Sequence, residues 1–159
     1  MPNTTSKKKT NFNKIISKYV KGYSEKRLLE DFYEIFVMIQ KAVSNFDYET
    51  LEEYCSNKLY KEYKKSLESL QDHRCNNIIK SFKHIKSSVK NVAVVNNKLQ
   101  ADIYLEVSFY DYVEDEDKNT MYGKKDEKTT NSYNLEFILD IDDKKNTSFV
   151  LNNKQLLCN

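Results

Sequence analysis

Residues 101–110 read Ala-Asp-Ile-Tyr-Leu-Glu-Val-Ser-Phe-Tyr, a strict alternation of apolar and polar side chains. Neighbouring side chains in a strand point to opposite faces. Ala101, Ile103, Leu105, Val107 and Phe109 therefore share one face, and Asp102, Tyr104, Glu106, Ser108 and Tyr110 the other. Such a strand has one hydrocarbon side to cover and one that stays wet, as in an antiparallel sheet packed on one face. Upstream, Asn96-Asn97 supplies a turn able to adopt positive φ. Before it, residues from about 79 to 95 end in a strand with Val89, Ala93 and Val95 on one side and Val92 and Val94 on the other. Downstream, an acidic then basic loop of about 114 to 130, centred on Gly123, leads to a third strand. There Tyr133, Leu135, Phe137, Leu139 and Ile141 share a face; Asp142 to Asn146 read as a turn, and Phe149 to Leu151 as a last strand.

The first half of the chain has a different period. Leu28, Phe32, Ile35, Phe36, Ile39, Ala42, Val43 and Phe46 form a broad apolar stripe at helical spacing over about 25 to 45, with Ser24 as its cap. Asp47 caps a short helix through Leu51 and Tyr54. Asn57 caps another, in which Leu59, Tyr63, Leu67 and Leu70 share a face before His73 to Asn77 break the pattern. Ahead of these, Phe12, Ile15, Ile16, Tyr19, Val20 and Tyr23 alternate with Lys14, Lys18 and Lys21 as a short basic amphipathic helix, after a disordered basic tail of about ten residues. Helices first and antiparallel strands after predict an α+β domain with helices covering one sheet face. The expected division is 1–24, basic tail and amphipathic helix, and 25–159, the folded domain.

Composition sets the bounds. A chain of 159 residues carries one domain with a real core, and its 12 Tyr and 8 Phe are not those of a disordered chain. With 2 Gly, it has no Gly-rich phosphate loop. Cys55, Cys75 and Cys158 form no CxxC pair, which predicts reduced thiols and no metal site. No apolar run approaches the roughly 20 residues that span a bilayer, and the first residues lack the apolar segment of a secretory signal. The expected setting is cytoplasmic, peripheral to the inner face of a membrane, or the mitochondrial matrix in a eukaryote.

Several stretches carry a family resemblance. Phe32-Tyr33-Glu34-Ile35-Phe36 through Gln40-Lys41-Ala42, then Phe46-Asp47-Tyr48-Glu49-Thr50-Leu51, resembles a long helix and its acidic-leucine junction in the Tim-forty-four-like domain family. Ser56-Asn57-Lys58-Leu59-Tyr60 through Leu67 resembles that family's next helix. Tyr110-Asp111-Tyr112-Val113 with Gly123, Tyr133 and Phe137 resembles the strand, excursion and return strand of its bacterial members. The resemblance covers about 28 to 141. It implies a cone-shaped fold like that of nuclear transport factor two, with a curved sheet around a long helix. It also implies a non-enzymatic scaffold or tether at a membrane surface.

Candidate sites follow from the residues. On one reading Phe12, Ile15 and Tyr19 enter the headgroup boundary while Lys14, Lys18 and Lys21 meet anionic lipid; on the other, the apolar face packs on the domain or a partner subunit. Lysines without arginines rank nucleic acid or a ribosome below a membrane as the anionic partner. Phe36, Ile39, Val43, Tyr63, Ile103, Leu105, Val107, Leu135 and Phe137 either line an apolar pocket for an acyl chain or are filled core. The outward Tyr104, Tyr110 and Tyr112 suit a protein partner, and strand propensity alone also accounts for them. The inward strand face holds no proton-moving dyad, His73 and His84 stand apart, and the run Asp111, Glu114, Asp115, Glu116 and Asp117 lacks a calcium-loop pattern. A scaffold or tether that binds a protein partner, with no catalytic residue, metal or cofactor, is the leading expectation. A small-molecule (acyl or lipid) binding protein or enzyme of the same cone fold is the alternative.

Overall fold

The structure is a computed structural model that describes residues 4–20, 22–142 and 148–157, with side chains from Phe12 onward. Four helices precede the strands: α1 (Thr4–Tyr19), α2 (Glu25–Ser44), α3 (Tyr48–Tyr54) and α4 (Asn57–Asp72). The strands are β1 (Cys75–Val95), β2 (Lys98–Asp115), β3 (Thr120–Gly123), β4 (Thr129–Asp140) and β5 (Val150–Leu157). The sheet is antiparallel in the order β1-β2-β4-β5, with β3 on the distal half of β2. The α+β domain expected from helices first and antiparallel strands after is the one observed, and so is the cone-shaped fold that the resemblance implies.

Local chemistry sets the helix starts. The Ser24 hydroxyl accepts the Arg27 N–H at 3.2 Å and opens α2, and the Asp47 carboxylate accepts the Thr50 N–H at 3.2 Å and opens α3. The cap of α4 is Ser56, whose hydroxyl accepts the Leu59 N–H at 3.3 Å, rather than Asn57, which is already helical. The stripe of α2 faces the sheet: Leu28, Phe32, Phe36, Ile39, Ala42 and Val43 are all buried.

Several expectations need correction. The helix read from Phe12 begins at Thr4, where a tail was expected. Helix gives way to strand directly at Cys75, because Arg74 takes a positive φ of 53° and reverses the chain in one step. Within β1, Val92 joins Val89 in the core while Val95 is exposed, since a bulge between Val89 and Asn91 resets the alternation. The charged loop is largely structured: β2 runs to Asp115 and β3 folds back on it. The last strand extends from Val150 to Leu157, well past Leu151. Residues 143–147 of the expected turn, with Lys21 and Cys158, lie outside the described residues.

Candidate functional site

The inner face of the sheet is hydrocarbon and aromatic. Phe36, Ile39, Val43, Ile103, Leu105, Val107, Leu135 and Phe137 are buried side chains of the core, and Tyr63 is half-buried at its margin. Their rings interlock. Phe32 of α2 stacks on Phe137 of β4 at 4.0 Å between centroids, and Phe149 meets Phe32 edge-on at 4.9 Å. Phe36 lies 5.4 Å from Tyr133 and 6.4 Å from Phe109. Each such pair adds about 0.5–1.5 kcal/mol beyond the area it buries.

Among the described residues, a cation reaches this interior. Lys154 pairs with Leu135 across the β4–β5 ladder, and its ammonium lies 5.3 Å from the Tyr63 ring centroid and 5.7 Å from that of Tyr133. Burial alone favours loss of its proton. Tyr63, Tyr133 and Asp111 outweigh that and hold its pKa above the ordinary lysine value. Lys154 is thus a fixed positive charge, stabilised by two ring faces, and is no base near neutrality. Burial raises the Tyr133 phenol, with Lys154 opposing. Asp111 accepts a hydrogen bond from Asn77 Nδ2 at 2.8 Å. Sequence reading missed Lys154 because the middle of its strand, Asn152-Asn153-Lys154-Gln155, is made of poor strand formers.

The thiols differ in the same physical way. Burial pushes Cys55 up to about 12, with Lys154 acting weakly against it, whereas Cys75 is partly exposed. At pH 8 a thiol reagent should therefore label Cys75 in the native protein and leave Cys55 unmodified until unfolding, as peptide mass spectrometry would show. Rapid native labelling of Cys55 would mean that the end of α3 opens.

The histidines stand outside the cone. His73 Nδ1 sits 2.7 Å from the Ser69 carbonyl at the end of α4, and His84 Nε2 lies 2.9 Å from the Ser87 hydroxyl on β1. The acidic run builds a turn. Asp115 accepts the N–H groups of Asp117 and Asn119, both at 2.9 Å, and these bonds, that of Asn119 foremost, lower its pKa. Glu116 lies 3.5 Å from Arg74, and Glu114 3.5 Å from Lys118. Among the described residues no group of three His, Cys, Asp or Glu side chains is placed to hold a metal ion.

The other predicted residues are dispersed. Phe12 and Ile16 are buried in the core and Ile15 and Tyr19 pack against it, so the apolar face expected at a lipid boundary covers the protein's own domain. Lys14 and Lys18 remain exposed. Tyr104 and Tyr110 are half-exposed, with Lys90 over the first ring at 5.5 Å and Lys128 over the second at 5.7 Å. Tyr112 is buried, because Gly123 of β3 lies directly across from it, and so it presents no ring to a partner. Tyr122, which sequence reading passed over, is 73% exposed.

This order of helices and strands matches known proteins. A family model for the Tim44-like domain matches residues 12–155. The chain belongs to the Tim44-like domain family. Tim44-like domains are known for membrane-associated protein-interaction roles. Among solved structures, the intermembrane space region of the chloroplast protein ARC6 is similar, with a TM-score of 0.52 and 15% identity over 82% of this chain and 96% of that one. At that identity the likeness is one of fold. No curated protein is a significant sequence match. Among the described residues of this Tim44-like domain, no helix is long and apolar enough to cross a membrane.

Proposed function

We propose that this Tim44-like domain is a non-enzymatic tether that binds a protein partner at an anionic membrane surface. The observation that supports the reading is the aromatic packing between the long helix and the sheet, where Phe32 stacks on Phe137 at 4.0 Å. Tyr104, Tyr110 and the exposed Tyr122 are the partner-facing candidates, since a tyrosine buries a large ring while its hydroxyl keeps a polar contact. Lys14 and Lys18, on the outer side of α1, are the membrane-facing ones, with Phe12, Ile15 and Tyr19 fixing the helix to the domain. The competing reading, an acyl-ligand binder or enzyme of the same fold, draws on Lys154. Its charge is already met by Tyr63, Tyr133 and Asp111, so that reading is the weaker one.

Vesicle co-sedimentation tests the membrane part. A basic residue near an anionic surface contributes about 1 kcal/mol, so Lys14→Gln with Lys18→Gln should weaken binding to phosphatidylglycerol-containing vesicles by roughly thirtyfold. Binding should also fade as salt is added. Wild-type protein that stays in the supernatant with such vesicles would remove the membrane from the proposal.

A further inference from the structure

Two long stretches of this chain contain no acidic residue. Within residues 1–24 the charged side chains are Lys7, Lys8, Lys9, Lys14, Lys18 and Lys21, and between Asp72 and Asp102 they are Arg74, Lys80, Lys83, Lys86, Lys90 and Lys98. Together they hold 12 of the 26 basic residues and none of the 24 acidic ones, in a chain whose net charge is only +2. The fold sets the two stretches side by side. α1 packs against β1, and Asn13 of α1 accepts the Glu25 backbone N–H at 3.2 Å. Glu25 in turn shares an open cleft of about 480 Å³ with His84 and Ser87 of β1.

β1 is an outer strand of the sheet. Lys80, Ser81, Lys83, His84, Ile85 and Lys86 are all exposed along it. Lysines on a free edge discourage pairing with other strands, and that accounts for one or two of them. It does not account for the aliphatic side chains among them. Ile85 is 44% exposed at a bulge between His84 and Lys86, and Val94 and Val95 are 46% and 43% exposed next to the turn into β2. Aliphatic side chains set among lysines suit the headgroup and acyl boundary of a bilayer. A nucleic-acid surface would favour arginine forks and stacking rings. The only arginine of the stretch, Arg74, is already paired with Glu116. Glu25 and Glu30 of α2 line the cleft against β1, and Glu106 of β2 stands across from Lys86, but Lys14, Lys18, Lys26, Lys80, Lys83, Lys86 and Lys90 outnumber them.

We propose that the outer edge of β1 continues the basic face of α1 as one docking surface for the anionic phospholipid headgroups of a bilayer, with Ile85 entering the boundary. This inference rests on the tether reading and adds a second element to it. The full-length chain is tested by co-sedimentation with phosphatidylcholine vesicles with and without phosphatidylglycerol, at low salt. Lys80→Gln, Lys83→Gln and Lys86→Gln together should weaken anionic binding by about a hundredfold, and Ile85→Ser by roughly tenfold. The melting temperature should be unchanged, because every altered side chain is exposed. If the triple change disturbs folding, Lys83→Gln alone is read, with an expected loss of about fivefold. Wild-type binding by the β1 variants, alongside loss in the Lys14→Gln, Lys18→Gln protein, would overturn the inference and leave the tether standing. Wild-type protein indifferent to anionic vesicles would overturn both. Loss of RNA retention by the triple variant with vesicle binding intact would assign the surface to nucleic acid and overturn the inference as well.

Discussion

Replacing Phe137 with alanine should cost about 3–5 kcal/mol in urea unfolding, the range for emptying a fully buried aromatic site. The side chain is wholly inaccessible, its ring stacks on Phe32 at 4.0 Å, and Phe32 in turn holds Phe149 edge-on. Loss of the ring uncouples α2, β4 and the chain entering β5 together. A small domain is stable by about 5–15 kcal/mol, so the variant should keep only a fraction of that margin. Phe137→Leu retains most of the volume and should cost no more than about 1.5 kcal/mol. A loss below about 1 kcal/mol for the alanine variant would mean that the cone is not packed as described. The interior would then be open to a ligand.

The second large effect is expected at Gly123. This residue has φ of +79°, and a Cβ there would lie 2.5 Å from the Asp111 carbonyl oxygen and 2.9 Å from the Tyr112 Cα. Both are backbone atoms of the paired strand and cannot swing aside. Gly123→Ala should therefore cost about 2–4 kcal/mol, a left-handed penalty of about 1–2 kcal/mol plus the overlap. The loss should be local: β3 detaches, and Tyr112 with the amides of residues 110–115 exchanges faster with deuterium. Gly22 gives the control. Its φ is +76°, but nothing lies within 4 Å of the position a Cβ would take, so Gly22→Ala carries the conformational penalty alone. Equal costs at the two glycines would show that β3 is not held where it is described.

The readable parts of this fold are those in which burial on one side imposes a period. The alternation from Ala101 to Phe109 placed five side chains in the core, and all five are buried there. The stripe of α2 behaved likewise, with Leu28, Phe32, Phe36, Ile39, Ala42 and Val43 turned to the sheet. Period arguments stop where a bulge shifts the count, and so Val92 and Val95 exchanged environments. They stop again where a strand is held by its neighbour rather than by its own propensity. Asn153 to Gln155 pair with β4 and carry Lys154 to the cone, and nothing in that polar run announces a strand. The charged residues 114–123 look like a solvated loop, yet Asp115 closes a tight turn and Glu114 is buried. A candidate site composed of surface residues has no period at all. Lys14 and Lys18 were legible on α1, whereas the kinship between α1 and β1 arises only on folding.

Under the proposal the basic face of α1 serves two ends. Its apolar residues Phe12 and Ile16 anchor the helix to the core, and Lys14 and Lys18 are thereby held in a fixed array. A pre-ordered array loses less conformational freedom on docking than a disordered tail does. The stable placement of α1 is thus compatible with a membrane role that depends on charge more than on insertion.

A photo-crosslinking amino acid placed at Tyr110 and, separately, at Tyr122 tests the tether most directly in living cells. The account predicts a discrete protein adduct from at least one of these two exterior positions, and none from the same probe at the buried Leu105. Exterior positions that give no adduct, in a protein that purifies with a small molecule bound inside the cone, would contradict it.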